Sequence, residues 1–111
     1  MVEDLDEALL AKLATLKTDP AFVPQLLDQA FLQCRIDVEA IAGSRAEGKI
    51  DVLREQAHAL YGCAGSVGFI GITAVCDRFR NLQADEIQTR ALQFEVELKL
   101  ALTRLEARLG T

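Results

Sequence analysis

A chain of 111 residues fits one domain, since single domains most often run to roughly 100–150 residues. Half of the residues are apolar but only 5% are aromatic, with no Trp and one Tyr, so the expected core is aliphatic. Twelve Lys and Arg against 17 Asp and Glu leave a net charge of −5, which argues against a phosphate-backbone binder of nucleic acid.

From the N-terminus, MVEDLDEALL is acidic where a signal peptide would be basic, and no apolar run approaches the roughly 20 residues that span a bilayer. A soluble, cytoplasmic protein without a membrane segment is expected. Leu5, Leu9, Leu10, Leu13 and Leu16 mark a short amphipathic helix that closes at Thr18-Asp19-Pro20. Asp19 is placed to cap, and Pro20 to open, the helix that follows. Phe22, Val23, Leu26, Leu27, Ala30, Phe31, Cys34, Val38 and Ile41 then recur at helical spacing up to Gly43, with Pro24 in the first turn.

After the polar stretch 43–48, a third stripe runs through Ile50, Leu53, Ala57, Leu60, Ala64 and Val67 and breaks at Gly68–Gly71. Ile72, Val75, Cys76, Phe79 and Leu82 carry a fourth. Ile87, Ala91, Phe94, Leu98, Ala101, Leu105 and Leu109 carry the last, at spacings of three and four, ending at Gly110. No segment alternates with period two. The pattern predicts a single all-α domain over residues 1–111: an antiparallel up-down four-helix bundle with a short additional N-terminal helix.

The third helix holds the sole histidine, His58. At about 100° per residue, the apolar stripe of this helix centres roughly 140° away from His58, so the imidazole is expected to face solvent. Asp51, Arg54, Glu55, Tyr61, Gly62 and Gly65 all fall within about 60° of it. Glycine inside a helix costs about 0.8–1.0 kcal/mol relative to alanine, so Gly62 and Gly65 on a solvent face need a reason other than helix stability. Leaving out side chains one and two turns beyond His58 opens the surface to a macromolecular partner. Gly68, at the edge of the stripe, suits close packing or a helix end, and Gly71 is assigned to the turn. Phe69 fits either a docking surface or the core.

Three cysteines, Cys34, Cys63 and Cys76, lack paired metal-ligand spacing and read as buried free thiols in a reducing compartment. One histidine without a carboxylate set makes no metal site. Gly62, Gly65, Gly68 and Gly71 are not a phosphate-binding loop, because neither the preceding strand nor Gly-Lys-Ser/Thr is there. The charge is uneven: nine acids stand against four bases before Lys49, whereas Lys49–Arg80 carries four bases and three acids. That balance suits approach to an acidic partner surface.

The stretch Ala57-His58-Ala59-Leu60-Tyr61-Gly62-Cys63-Ala64-Gly65-Ser66-Val67-Gly68, followed by Ile72 and Cys76, resembles the histidine-containing phosphotransfer (HPt) pattern AHxLKGxxxxxG. Asp19-Pro20-Ala21-Phe22 leading into Leu26-Leu27, and the Gly48 turn ahead of Leu53, are similar to the family's second helix and its approach to the phosphoacceptor helix. The resemblance implies that His58 is the phosphoacceptor, taking a phosphoryl group from the aspartyl phosphate of one receiver domain and passing it to another. Imidazole suits this role, being largely uncharged at neutral pH with a nucleophilic ring nitrogen. The implied partners are response-regulator receiver domains and the receiver of a hybrid histidine kinase. The implied carrier is a monomer with no cofactor of its own, the Mg²⁺ belonging to the receiver. Its 111 residues leave no room for an ATP-binding kinase domain.

Tyr61 departs from the pattern, which has Lys three residues after the histidine. A phenol donates one hydrogen bond but brings no positive charge. Arg54, one turn before His58, is placed to supply the cation, as are Arg78 or Arg80 from the fourth helix. Arg54 is equally suited to pairing with Asp51. The departure motivates an alternative: a non-catalytic helical adaptor that docks receivers without transfer.

Overall fold

The computed structural model describes residues 4–16 and 19–110, and the following account concerns these residues. Five helices occur in chain order: α1 (Glu7–Ala14), α2 (Phe22–Ala46), α3 (Ile50–Ser66), α4 (Ile70–Arg80) and α5 (Ala84–Leu109). No strand is present among the described residues. The expectation of an all-helical chain is met. Thr18, part of the expected punctuation after the first helix, lies outside the described residues.

Several helix ends have a local reason. Asp6 caps α1, its carboxylate accepting from the Leu9 amide at 3.1 Å. Asp19 accepts from the Ala21 amide at 2.9 Å and shapes a turn, so α2 opens at Phe22 and not at Pro20 as the sequence suggested. Pro24 does sit in the first turn, where a missing amide hydrogen costs nothing. The Gln83 amide donates to Glu86 Oε1 at 3.2 Å at the start of α5, and Gly110 closes it at φ 79°.

Two expected breaks fall elsewhere. The second helix was expected to stop at Gly43 but runs on to Ala46. Ser44 is buried and donates to Gln56 Oε1 of α3 at 2.7 Å, and Arg45 donates to the buried Glu95 of α5. These contacts carry the helix past a glycine whose cost is only about 1 kcal/mol. Gly71, assigned to a turn from the sequence, lies in the first turn of α4. A Cβ there would stand 3.3 Å from Asp4 Oδ1. The small residue thus serves the approach of the N-terminal segment, not a change of chain direction.

Helix α2 packs against α3 and α5, α4 packs against the same two, and α1 lies on α2. The core is aliphatic, as composition required: Ile41, Leu53, Leu60, Ile72, Ile87, Leu98 and Leu105 are fully buried. Each such side chain contributes about 1.5–3 kcal/mol by leaving water. Aromatics add one focus, with the Phe79 and Phe94 rings stacked 3.9 Å apart between α4 and α5. Phe69 is fully buried, so of its two readings the core placement holds.

The joint between α3 and α4 fixes where the site lies. Gly68 adopts φ +77°, the left-handed conformation that favours glycine, and the Phe69 amide returns to the Ala64 carbonyl at 2.9 Å. The N-terminal segment closes over this joint: the Asp6 amide donates to the Gly68 carbonyl at 2.8 Å, and the Ile70 amide to the Asp4 carbonyl at 3.1 Å. Gly68 therefore serves both purposes raised by the sequence, helix end and close approach.

Candidate functional site

Leu53, Ala57, Leu60 and Ala64 of α3 are buried, which turns the opposite face of that helix to solvent. His58 stands on this exposed face, as the angular arithmetic required. Beside it lies a hollow of about 170 Å³ whose rim is formed by Arg54, His58, Tyr61 and Arg80. Its floor is apolar, made by Ala57 of α3, Cys76 and Phe79 of α4, and Ile87 of α5. Three helices thus build the surroundings of one imidazole.

The sequence left two arginines of the fourth helix open, and the structure separates them. Arg80 reaches the hollow, its guanidinium carbon 4.8 Å from the centroid of the Tyr61 ring. Its Nε stands 2.9 Å from Asp77 Oδ1. Oδ1 is shielded from solvent and accepts no hydrogen bond, so the contact is an ion pair without hydrogen-bond alignment. Arg78 points elsewhere and stands 3.5 Å from Glu97 of α5. Helical spacing carried the signal that separates them: Arg80 follows Cys76 by one full turn and shares its face, whereas Arg78 is about 200° from Cys76.

Arg54 is exposed, and among the described residues it makes no ion pair, so its suggested pairing with Asp51 does not form. Gly62 and Gly65 are both exposed. A Cβ at Gly62 would meet nothing within 4 Å, and one at Gly65 would meet only Thr73 Cγ2 at 3.8 Å. Neither glycine is required by packing, and both leave α3 bare beyond His58.

Cys76, in the floor, is no competing nucleophile: burial, with the Asp77 carboxylate adding to it, pushes its thiol up to about 12. Cys34 is buried and its thiol is likewise pushed up, first by burial and then by Cys63. Cys63, expected from the sequence to be buried with the other two, is only half-buried. All three thiols are free. Among the described residues no three His, Cys, Asp or Glu side chains gather to hold a metal ion. Among them too, no helix is long and apolar enough to cross a membrane.

The family model of the Hpt domain matches residues 25–108, and the chain belongs to that family. Hpt domains act in histidine phosphotransfer of two-component signalling and interact with receiver domains. The matched span takes in α3, α4 and the whole hollow. No curated protein and no solved structure matches the chain.

Proposed function

We propose that this protein relays a phosphoryl group between receiver-domain aspartates through a phosphohistidine on His58. The observation that carries the reading is the sole histidine of an Hpt chain, exposed at the rim of a hollow with two arginines beside it. In the forward step a ring nitrogen attacks phosphorus, the N–P bond forms as the acyl-phosphate P–O bond breaks, and the aspartate leaves as its carboxylate. An uncharged imidazole has a free lone pair, so no proton need be removed first. Passing the group on reverses these bond changes at the second receiver. Mg²⁺ and the acidic cluster belong to the receiver, and the carrier brings no cofactor.

In this reading α2 to α5 form an antiparallel up-down bundle with α1 as the shorter addition, and residues 1–111 act as one domain. Arg54 supports the incoming phosphoryl group from one turn before His58, Tyr61 borders it, and Gly62 and Gly65 admit the receiver to the face of α3. The partners are response-regulator receivers and the receiver of a hybrid histidine kinase, met by a cytoplasmic monomer.

Incubation with a phosphorylated receiver is expected to give a label that is acid-labile and alkali-stable, and that is lost in His58→Gln. Full labelling of that variant would overturn the assignment. Tyr61, which brings no charge where the family pattern has Lys, supports a second reading as an adaptor. Tight binding of a receiver with no transfer in either direction would establish it.

A further inference from the structure

A phosphoryl group on an imidazole carries close to two negative charges, and it must be met by donors fixed before it arrives if positioning is to help transfer. Of the two arginines at the rim, Arg54 extends from α3 itself and among the described residues makes no ion pair. Arg80 is different. It crosses from α4, its guanidinium lies against the Tyr61 ring at 4.8 Å, and its Nε faces Asp77 Oδ1 at 2.9 Å.

A guanidinium has five N–H donors in a flat fork. The guanidinium lies over the ring and Asp77 pairs with its Nε, so among the described residues the terminal nitrogens are left without a carboxylate, on the rim shared with His58. Tyr61 brings no charge of its own, yet its ring face attracts a cation and fixes its plane. Resting on the reading of His58 as phosphoacceptor, we propose that Arg80 is a second cation that contacts the phosphoryl group, beside Arg54. Tyr61 is a positioning residue that acts through it. The charge that the family's Lys would bring comes from the neighbouring helix, and the aromatic residue one turn after His58 is its seat.

The test uses phosphoramidate, a small phosphodonor that needs no docking surface, with the intact chain and His58-dependent label as readout. Arg80→Ala is expected to slow labelling roughly ten- to a hundredfold, the loss of one charge-assisted contact. Arg80→Lys should restore part of the rate, since it keeps the charge and loses the fork. Tyr61→Phe, which keeps the ring, should label at close to the native rate, whereas Tyr61→Leu should slow. Tyr61→Leu combined with Arg80→Ala should be no slower than Arg80→Ala alone, the non-additivity expected of residues acting as one unit.

Thermal melting of each variant separates a folding defect from a rate defect. Native labelling with an unchanged rate in folded Arg80→Ala would overturn this inference and leave His58 in place. Tyr61→Phe falling as far as Tyr61→Leu would overturn the positioning role, because the hydroxyl would then be the contact. Absence of His58-dependent label in the native chain, with phosphoramidate and with a phosphorylated receiver, would overturn both readings together.

Discussion

Replacing Gly62 and Gly65 by alanine should stabilise the protein and impair it at once. Alanine is favoured over glycine in a helix interior by about 0.8–1.0 kcal/mol. Gly62 lies well inside α3, and its added methyl would meet nothing within 4 Å, so the full amount applies. Gly65 is the penultimate residue of α3, where fraying reduces the gain to roughly half of that figure, and its contact with Thr73 at 3.8 Å is ordinary packing. The double variant should therefore gain about 1.2–1.5 kcal/mol in urea denaturation with an unchanged slope. For a domain of this size that corresponds to a melting temperature higher by roughly 5–10 °C.

The two methyls also stand on the face of α3 that a receiver would cover. Transfer from a phosphorylated receiver should slow in each variant, while labelling by phosphoramidate should not, because the small donor needs no docking surface. A fall in stability would refute the reasoning from open space around the glycines. A gain in stability with receiver transfer undiminished would show that the bare face is not used.

Gly68→Ala should behave oppositely: the methyl would sit at φ +77° and 2.9 Å from Asp6 Cβ, displacing the segment whose amide donates to the Gly68 carbonyl. Left-handed strain of about 1–2 kcal/mol plus that lost contact predicts about 2–4 kcal/mol of destabilisation, readable in the same urea titration. Arg45 first, and Lys99 with it, hold the Glu95 carboxyl below its ordinary value near 4.5 despite burial. Its stabilising contribution is therefore complete above pH ~4.5 and is lost as pH falls from there through the lower folded value. Glu95→Gln should lower stability at pH 7 by about 1.5–3 kcal/mol and flatten the acid limb of the stability curve; an unchanged acid limb would contradict this. At pH 8 an alkylating reagent should modify Cys63 and spare Cys34 and Cys76 in the folded chain, since burial shields both and raises their thiols. Peptide mapping after brief labelling would detect the order.

Helical spacing made much of this molecule legible. Five apolar stripes correspond to five helices, and the angle between Leu53, Leu60 and His58 around α3 is enough to turn the imidazole outward. The errors share one cause. Gly43, Gly71 and Pro20 are weak breakers when read locally, and in each case something distant or adjacent overrides them: Ser44 and Arg45 bonding to other helices, Asp4 approaching Gly71, Asp19 holding Ala21 in a turn. At the site, residues on α3 could be placed by angle alone because they share one helix. Arg80 could not, since its position relative to Tyr61 depends on how α4 packs against α3. The buried Phe69 was undecidable for the same reason, as its burial depends on the joint made by Gly68 and Asp6.

Because the site draws on three helices, its geometry depends on packing that never touches the imidazole. Phe79 lines the floor of the hollow and also stacks on Phe94 of α5, and it immediately precedes Arg80. Any change in that stack shifts the backbone from which the guanidinium extends, while His58 stays anchored by Ala57 and Leu60 on α3. The acidic chain thus ties the place of one cation to an apolar contact made by the preceding residue of the same helix. Several other bases are matched to carboxylates: Arg45 and Lys99 to Glu95, Arg78 to Glu97, Lys49 to Glu47, Arg108 to Glu7. Those pairs use their charge within the fold. At the rim of the hollow, Arg54 makes no ion pair among the described residues, and Arg80 engages Asp77 only through Nε while its guanidinium lies over the Tyr61 ring, so positive charge stands beside the imidazole of His58. A net charge of −5 is therefore compatible with binding an acidic partner, because the field that the partner meets is set within about 8 Å at physiological ionic strength.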